Sequence, residues 1–137
     1  MRVLNPKYEY LNPKQIQMTE IANHKQYDLE ERTYQFAADC QKLIKKVPRT
    51  IANIEDCKQL TRSSGSVPGN YIEANEALSQ KDFVMRIKIC RKESKESILW
   101  LRLSDIEDPG LDKERLRLKQ EATELMKIFG SILRKSE

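Results

Sequence analysis

Between Ser79 and Ser104 the chain runs through Gln80–Leu103 without a glycine or a proline, and its apolar residues return every three or four positions. A segment with that rhythm has one low-energy solution, an amphipathic α-helix about six turns long. Ser79, with Asp82 three residues on, supplies a capping-box-like start. At about 100° per residue, Phe83, Ile87, Cys90, Ser94, Ile98 and Leu101 share one side, which is the natural core stripe. A second apolar set, Met85, Ile89, Leu99, Trp100 and Leu103, lies a quarter to half a turn away. Two apolar flanks on one helix predict a subunit interface, and a wide core stripe with Trp100 at its rim is the other reading.

The same rhythm recurs on both sides. Leu29, Phe36, Ala37, Cys40, Leu43, Ile44 and Val47 form one face of a helix predicted to be capped by Asp28 and stopped at Val47-Pro48. Ile51, Ile54, Cys57 and Leu60 are expected on the inner side of a second helix from Thr50. The stretch Ser63 to Asn70 then brings two glycines and Pro68. The helix-friendly residues beyond it favour a helix kinked at Pro68 over a plain loop, with the small residues letting two helices approach closely. A loop holding Asp108-Pro109-Gly110 leads to a last helix from about Asp112 to Lys135 along Leu118, Ala122, Leu125, Met126, Phe129, Ile132 and Leu133. Four such helices with short links predict an all-α, antiparallel up-down four-helix bundle over residues 28–137. Residues 1–27, with two Asn-Pro steps and a weak apolar rhythm, read as an N-terminal arm in which Asn12 can cap a short helix starting at Pro13.

Of 25 basic and 21 acidic side chains, residues 79–103 hold seven and three, so this one helix carries the whole net charge of +4. Lys81, Lys88, Lys92, Lys95 and Arg102 are spaced by 7, 4, 3 and 7 residues and stack on one side. Such a ridge can follow a phosphate backbone, and a ring of subunits would repeat it. A charged helix face is also commonly no more than a solvated surface.

Motifs for catalysis are absent. The chain has no Gly-rich phosphate loop, no H-E-x-x-H, no G-x-S-x-G and no pair of E-x-x-H segments. Its three cysteines lack C-x-x-C spacing and read as small core residues, and His24 is its one histidine. No catalytic residue, metal or cofactor is expected, and Glu93 and Glu96 read as surface ion pairs with Lys92 and Lys95. With no long apolar run or secretory leader, the expectation is a cytoplasmic protein with no membrane partner.

Residues Gln59 to Glu73, followed by Ser79, Lys81-Asp82-Phe83, Arg86-Ile87, Glu93, Glu96 and Trp100-Leu101, resemble a bacterial four-helix-bundle family. That family is named after proteins encoded in 23S rRNA intervening sequences. The resemblance rests on a S-[IV]-P-x-N-x-x-E element (Ser66, Pro68, Asn70, Glu73) joined to K-D-F (Asp82, Phe83) and an E-x-x-E helix. Many relatives read Ile-Ala-Glu-Gly after the asparagine, where this chain has Tyr71, Ile72, Glu73 and Ala74. The resemblance implies a homopentameric ring, a role in binding RNA or DNA, and no catalytic activity; a related branch serves reverse transcriptases of diversity-generating retroelements. It gives Asn70 and Glu73 a structural role in ordering the kink. Partners are then the chain itself and a nucleic acid, or else a partner protein docked by the apolar stripe and the arm, in a scaffold without a nucleic-acid role.

Overall fold

In the computed structural model, residues 13–137 are described, with side chains from Asp28 onward. Four helices follow one another: α1 (Pro13–Ile44), α2 (Ile51–Asn75), α3 (Gln80–Leu103) and α4 (Pro109–Lys135). Among the described residues no strand occurs. Each helix packs on its neighbours in the order α1, α2, α3, α4 and back to α1, which is the closed square of a four-helix bundle.

The predicted stripes meet inside that square. Phe36, Cys40, Leu43, Leu60, Val67, Ile87, Cys90, Leu101, Leu118, Leu125 and Phe129 are all buried. Tyr71 and Phe129 pack as a tilted pair with ring centroids 5.9 Å apart.

The helix ends differ from expectation in three places. Asp28 does not start a helix, because α1 starts at Pro13 and passes through Asp28 unbroken; the sequence has no breaker between Pro13 and Asp28. Asn12, the proposed cap, lies outside the described residues. At the other end α4 begins at Pro109, with the Asp108 carboxylate accepting from Leu111 N–H at 2.8 Å. Proline at the first helical position costs no hydrogen bond, so the expected loop residues Asp108-Pro109-Gly110 are themselves the helix start. Thr50 and Ser79 cap α2 and α3 as expected.

Ile51 is the third departure. It is 86% exposed, and Asn53 takes the inward position instead at 1%. The Asn53 amide donates to the carbonyls of Pro48 (3.0 Å) and Asp105 (2.9 Å), and its oxygen accepts from Asp105 N–H (3.0 Å). One side chain thus ties the start of α2 to the loop after α3.

α2 continues through Pro68 as a single helix. The close approach of α2 and α3 is made by serines, however, and not by the glycines. Ser63 and Ser97 are buried, and their hydroxyls meet at 2.9 Å. Gly65 and Gly69 have open space where a side chain would stand. The pairs Asn70 with Arg86, Val67 with Cys90, Ser63 with Ser97 and Asn53 with Asp105 mark the length of this seam.

Candidate nucleic-acid interface on α3

α3 turns its core stripe inward through Ile87, Cys90, Ser94 and Leu101. By helical geometry the opposite side must then face out, and Lys81, Lys88, Lys92, Lys95 and Arg102 are all exposed. None of them has an ion-pair partner among the described residues.

Several of the other cations are engaged instead. Arg32 forks onto Glu121 (2.8 and 2.7 Å) and reaches Glu124, pinning α1 to α4. Arg117 of α4 donates to Asp39 of α1 at 2.9 Å and to Glu114. Burial alone would raise Asp39, but donation from Gln35 and Arg117 outweighs it and holds that carboxyl below the usual range. The Arg117 hydrogen bond does the same for Glu114. Arg115 pairs with Asp112 at 2.7 Å.

Glu93 and Glu96 do not pair with Lys92 and Lys95, as the sequence suggested. Glu93 is buried, and Arg62 of α2 donates to it at 3.2 Å and to Glu96 at 2.6 Å. Glu93 and Lys92, and Glu96 and Lys95, are adjacent in sequence and point apart on the helix, while Glu96, which stands within reach of Lys92 at i+4, is taken by Arg62 at 2.6 Å. With Glu93 and Glu96 held by Arg62 and Asp82 beside Arg86, the lysines on the outer face of α3 keep no ion-pair partner among the described residues.

A groove of about 1060 Å³ runs between α3 and α4. Its rim carries Lys88, Arg91, Lys92, Lys95, Arg102 and Arg134, and its acids are Glu96, engaged by Arg62, and Glu137. The floor is aliphatic, with Ile98, Leu99, Met126 and Leu133 exposed in part. Four of the five ridge cations expected from sequence border this groove; Lys81 does not. Arg91 and Arg134 were missed. Arg91 has no acid three or four residues away, a signal already present in the sequence. Arg134 comes from α4 and joins only through the fold.

The second apolar set divides. Met85, Leu99 and Leu103 are 47%, 43% and 53% exposed. Ile89 and Trp100 are half-buried, and Trp100 packs against the core with its Nε1 buried and without a hydrogen-bond partner.

Among the motif residues, the Asn70 amide donates to the Ser66 carbonyl at 2.9 Å and its oxygen accepts from Arg86 at 3.1 Å, two residues after Pro68. Ser66 and Pro68 are half-buried beside it. Glu73 is exposed, so the ordering of this region falls to Asn70. Asp82 lies in the first turn of α3, 4.0 Å from Arg86, and Phe83 packs against the core.

The cysteines are unpaired. Burial pushes the thiols of Cys40 and Cys90 up to about 12, which removes them as nucleophiles at neutral pH. Among the described residues no group of three or more His, Cys, Asp or Glu is placed to hold a metal ion, and no helix is long and apolar enough to cross a membrane.

These features define an all-α four-helix-bundle protein whose third helix carries an uncompensated cationic face. The chain belongs to the 23S rRNA-intervening sequence protein family, whose model matches residues 25–131. It is similar to a crystal structure from Bacteroides thetaiotaomicron described as a protein of unknown function from the S23 ribosomal protein family. The two share 26% identity with a TM-score of 0.63, covering 77% of this chain and 97% of that one. No curated protein matches the chain.

Proposed function

We propose that this chain is a cytoplasmic, non-enzymatic bundle of antiparallel up-down helices that assembles with copies of itself, as a pentameric ring, and presents the outer face of α3 to RNA or DNA. The observation that carries the reading is the set of five exposed cations, Lys81, Lys88, Lys92, Lys95 and Arg102, stacked on the outer side of one helix with no ion-pair partner among the described residues. A polyanion is the partner that such a surface lacks. Antiparallel packing is supported by the α2–α3 pairs, whose numbers rise on one helix as they fall on the other. Assembly is supported by Met85 and Leu103, large apolar side chains exposed along one helix outside the groove.

Titration of a structured RNA across a salt series tests the reading. Five phosphate contacts per subunit give log K a slope of about −4 against log salt. No binding at low salt refutes the nucleic-acid role, and binding to a protein partner unaffected by nuclease would favour a scaffold. Light scattering tests assembly separately: a lone 16.1 kDa particle refutes it.

A further inference from the structure

The groove between α3 and α4 has a property that phosphate attraction leaves without a use. A cationic ridge needs no apolar floor, yet Leu99 and Met126 line one here, in a groove that also holds two arginines. Arg91 and Arg134 reach from opposite helices over the buried Gly130. A Cβ built on Gly130 would stand 3.5 Å from Arg134 Nη1 and 3.8 Å from Arg91 Nε. The two guanidinium groups therefore lie close above the backbone of α4, and neither has an acidic partner among the described residues.

Resting on the nucleic-acid reading above, we infer that this groove takes an unpaired strand. Its bases lie on the Arg91 and Arg134 planes and on the Leu99 and Met126 floor, and its phosphates turn to the lysines of the rim. Guanidinium planes stack on splayed-out bases, and an aliphatic floor covers the rest of a base face. A duplex offers neither surface. Its bases are stacked and paired inside the helix, so it meets the rim through its phosphates and offers no free base face to the floor. The shape selects strand over duplex, and the charge selects polyanion over neutral ligand.

The test titrates the full chain with a labelled 12-nucleotide single-stranded RNA and with the same sequence as a duplex. Wild type is compared with the double variant Arg91→Lys/Arg134→Lys, with light scattering on both. Lysine keeps the charge and loses the stacking plane. The expected result is a loss of about 10-fold in strand affinity, with the salt slope and the duplex affinity unchanged. A wild-type duplex affinity equal to that of the strand, or a double variant that binds the strand as wild type does, overturns the inference while leaving the nucleic-acid role intact. Failure of both RNAs to bind at low salt overturns both. Tighter binding of an acidic amphipathic helical peptide, weakened by the same substitutions, assigns the groove to protein. Loss of assembly at unchanged strand affinity assigns it to a second copy.

Discussion

Asn53 is the residue whose loss should cost the bundle most for its size. It is 1% exposed and satisfies three backbone groups: the carbonyls of Pro48 and Asp105 and the N–H of Asp105. Asn53→Ala leaves all three without that partner and removes a link across 52 residues of chain. A buried polar group left unsatisfied costs about 1–3 kcal/mol. Because Asp105 itself is exposed and water can reach part of the junction, the lower end applies, for a total of about 2–4 kcal/mol. For a domain of this size that lowers Tm by roughly 10 °C. Urea unfolding followed by circular dichroism, at fixed protein concentration because assembly adds to apparent stability, reads the change directly. Asn53→Asp keeps the acceptor but sets a carboxylate against two carbonyl oxygens, so it should be no more stable than the alanine variant at neutral pH. A loss for Asn53→Ala below about 0.5 kcal/mol, the size of an ordinary surface change, would refute the view that one amide joins these two loops.

Acid should loosen the α1–α4 seam. Asp39 and Glu114 have lowered folded values, so their contribution is present above the ordinary carboxylate range near ~4 and is lost as pH falls through the depressed values. Melting temperature followed from pH 7 downward should drop in that acid window, and Arg117→Met should flatten the drop. Native labelling with a thiol reagent should modify the half-buried Cys57 first and spare Cys40 and Cys90, whereas urea exposes all three; equal native rates by mass spectrometry would contradict the burial. Ser97→Leu forces a large side chain between α2 and α3, where the Ser63 hydroxyl sits 2.9 Å away, and should destabilise by about 1–3 kcal/mol or more in the same urea assay. Gly65→Ala and Gly69→Ala meet no neighbour within 4 Å and should each stabilise by roughly 0.5–1 kcal/mol, since glycine weakens a helix interior.

The helices were legible because each buries a stripe at the period that an α-helix imposes, and Phe36, Cys40, Ile87, Leu118 and Phe129 follow it. What failed was local chemistry with two readings. Asp28 has the chemistry of an N-cap, but a cap needs a break before it, and α1 has none there. Asp108-Pro109-Gly110 has the chemistry of a turn, yet the same three residues begin a helix equally well once Asp108 accepts from Leu111 N–H. Ile51 is apolar at the right spacing, but the junction beside it required an amide more than an aliphatic chain, and Asn53 turned inward. The ridge of lysines was legible because it lies on one helix. The groove was not, since Arg134 and Met126 come from α4 and reach Arg91 and Leu99 only after the chain has folded back.

The division of acids between the two sides of α3 explains why its outer face stays cationic. Glu93 and Glu96 lean toward α2, where Arg62 holds both. If either acid faced the other flank, it would stand among Lys88, Lys92 and Lys95 and cancel the field that an anion would feel. Arg62 therefore acts on the surface without belonging to it. Arg62→Met would leave Glu93 buried without its cation and free Glu96, which borders the groove, to swing toward the lysines. RNA affinity at low salt should fall about 2- to 10-fold although no cation of the groove has been removed, on the scale of one to two surface charge contacts. Arg62→Lys, which keeps the charge on α2, should restore most of it. An Arg62→Met chain that folds, assembles and binds RNA as wild type does would mean that the acids of α3 are indifferent to α2, and that the cationic character of its outer face owes nothing to how α2 and α3 are joined.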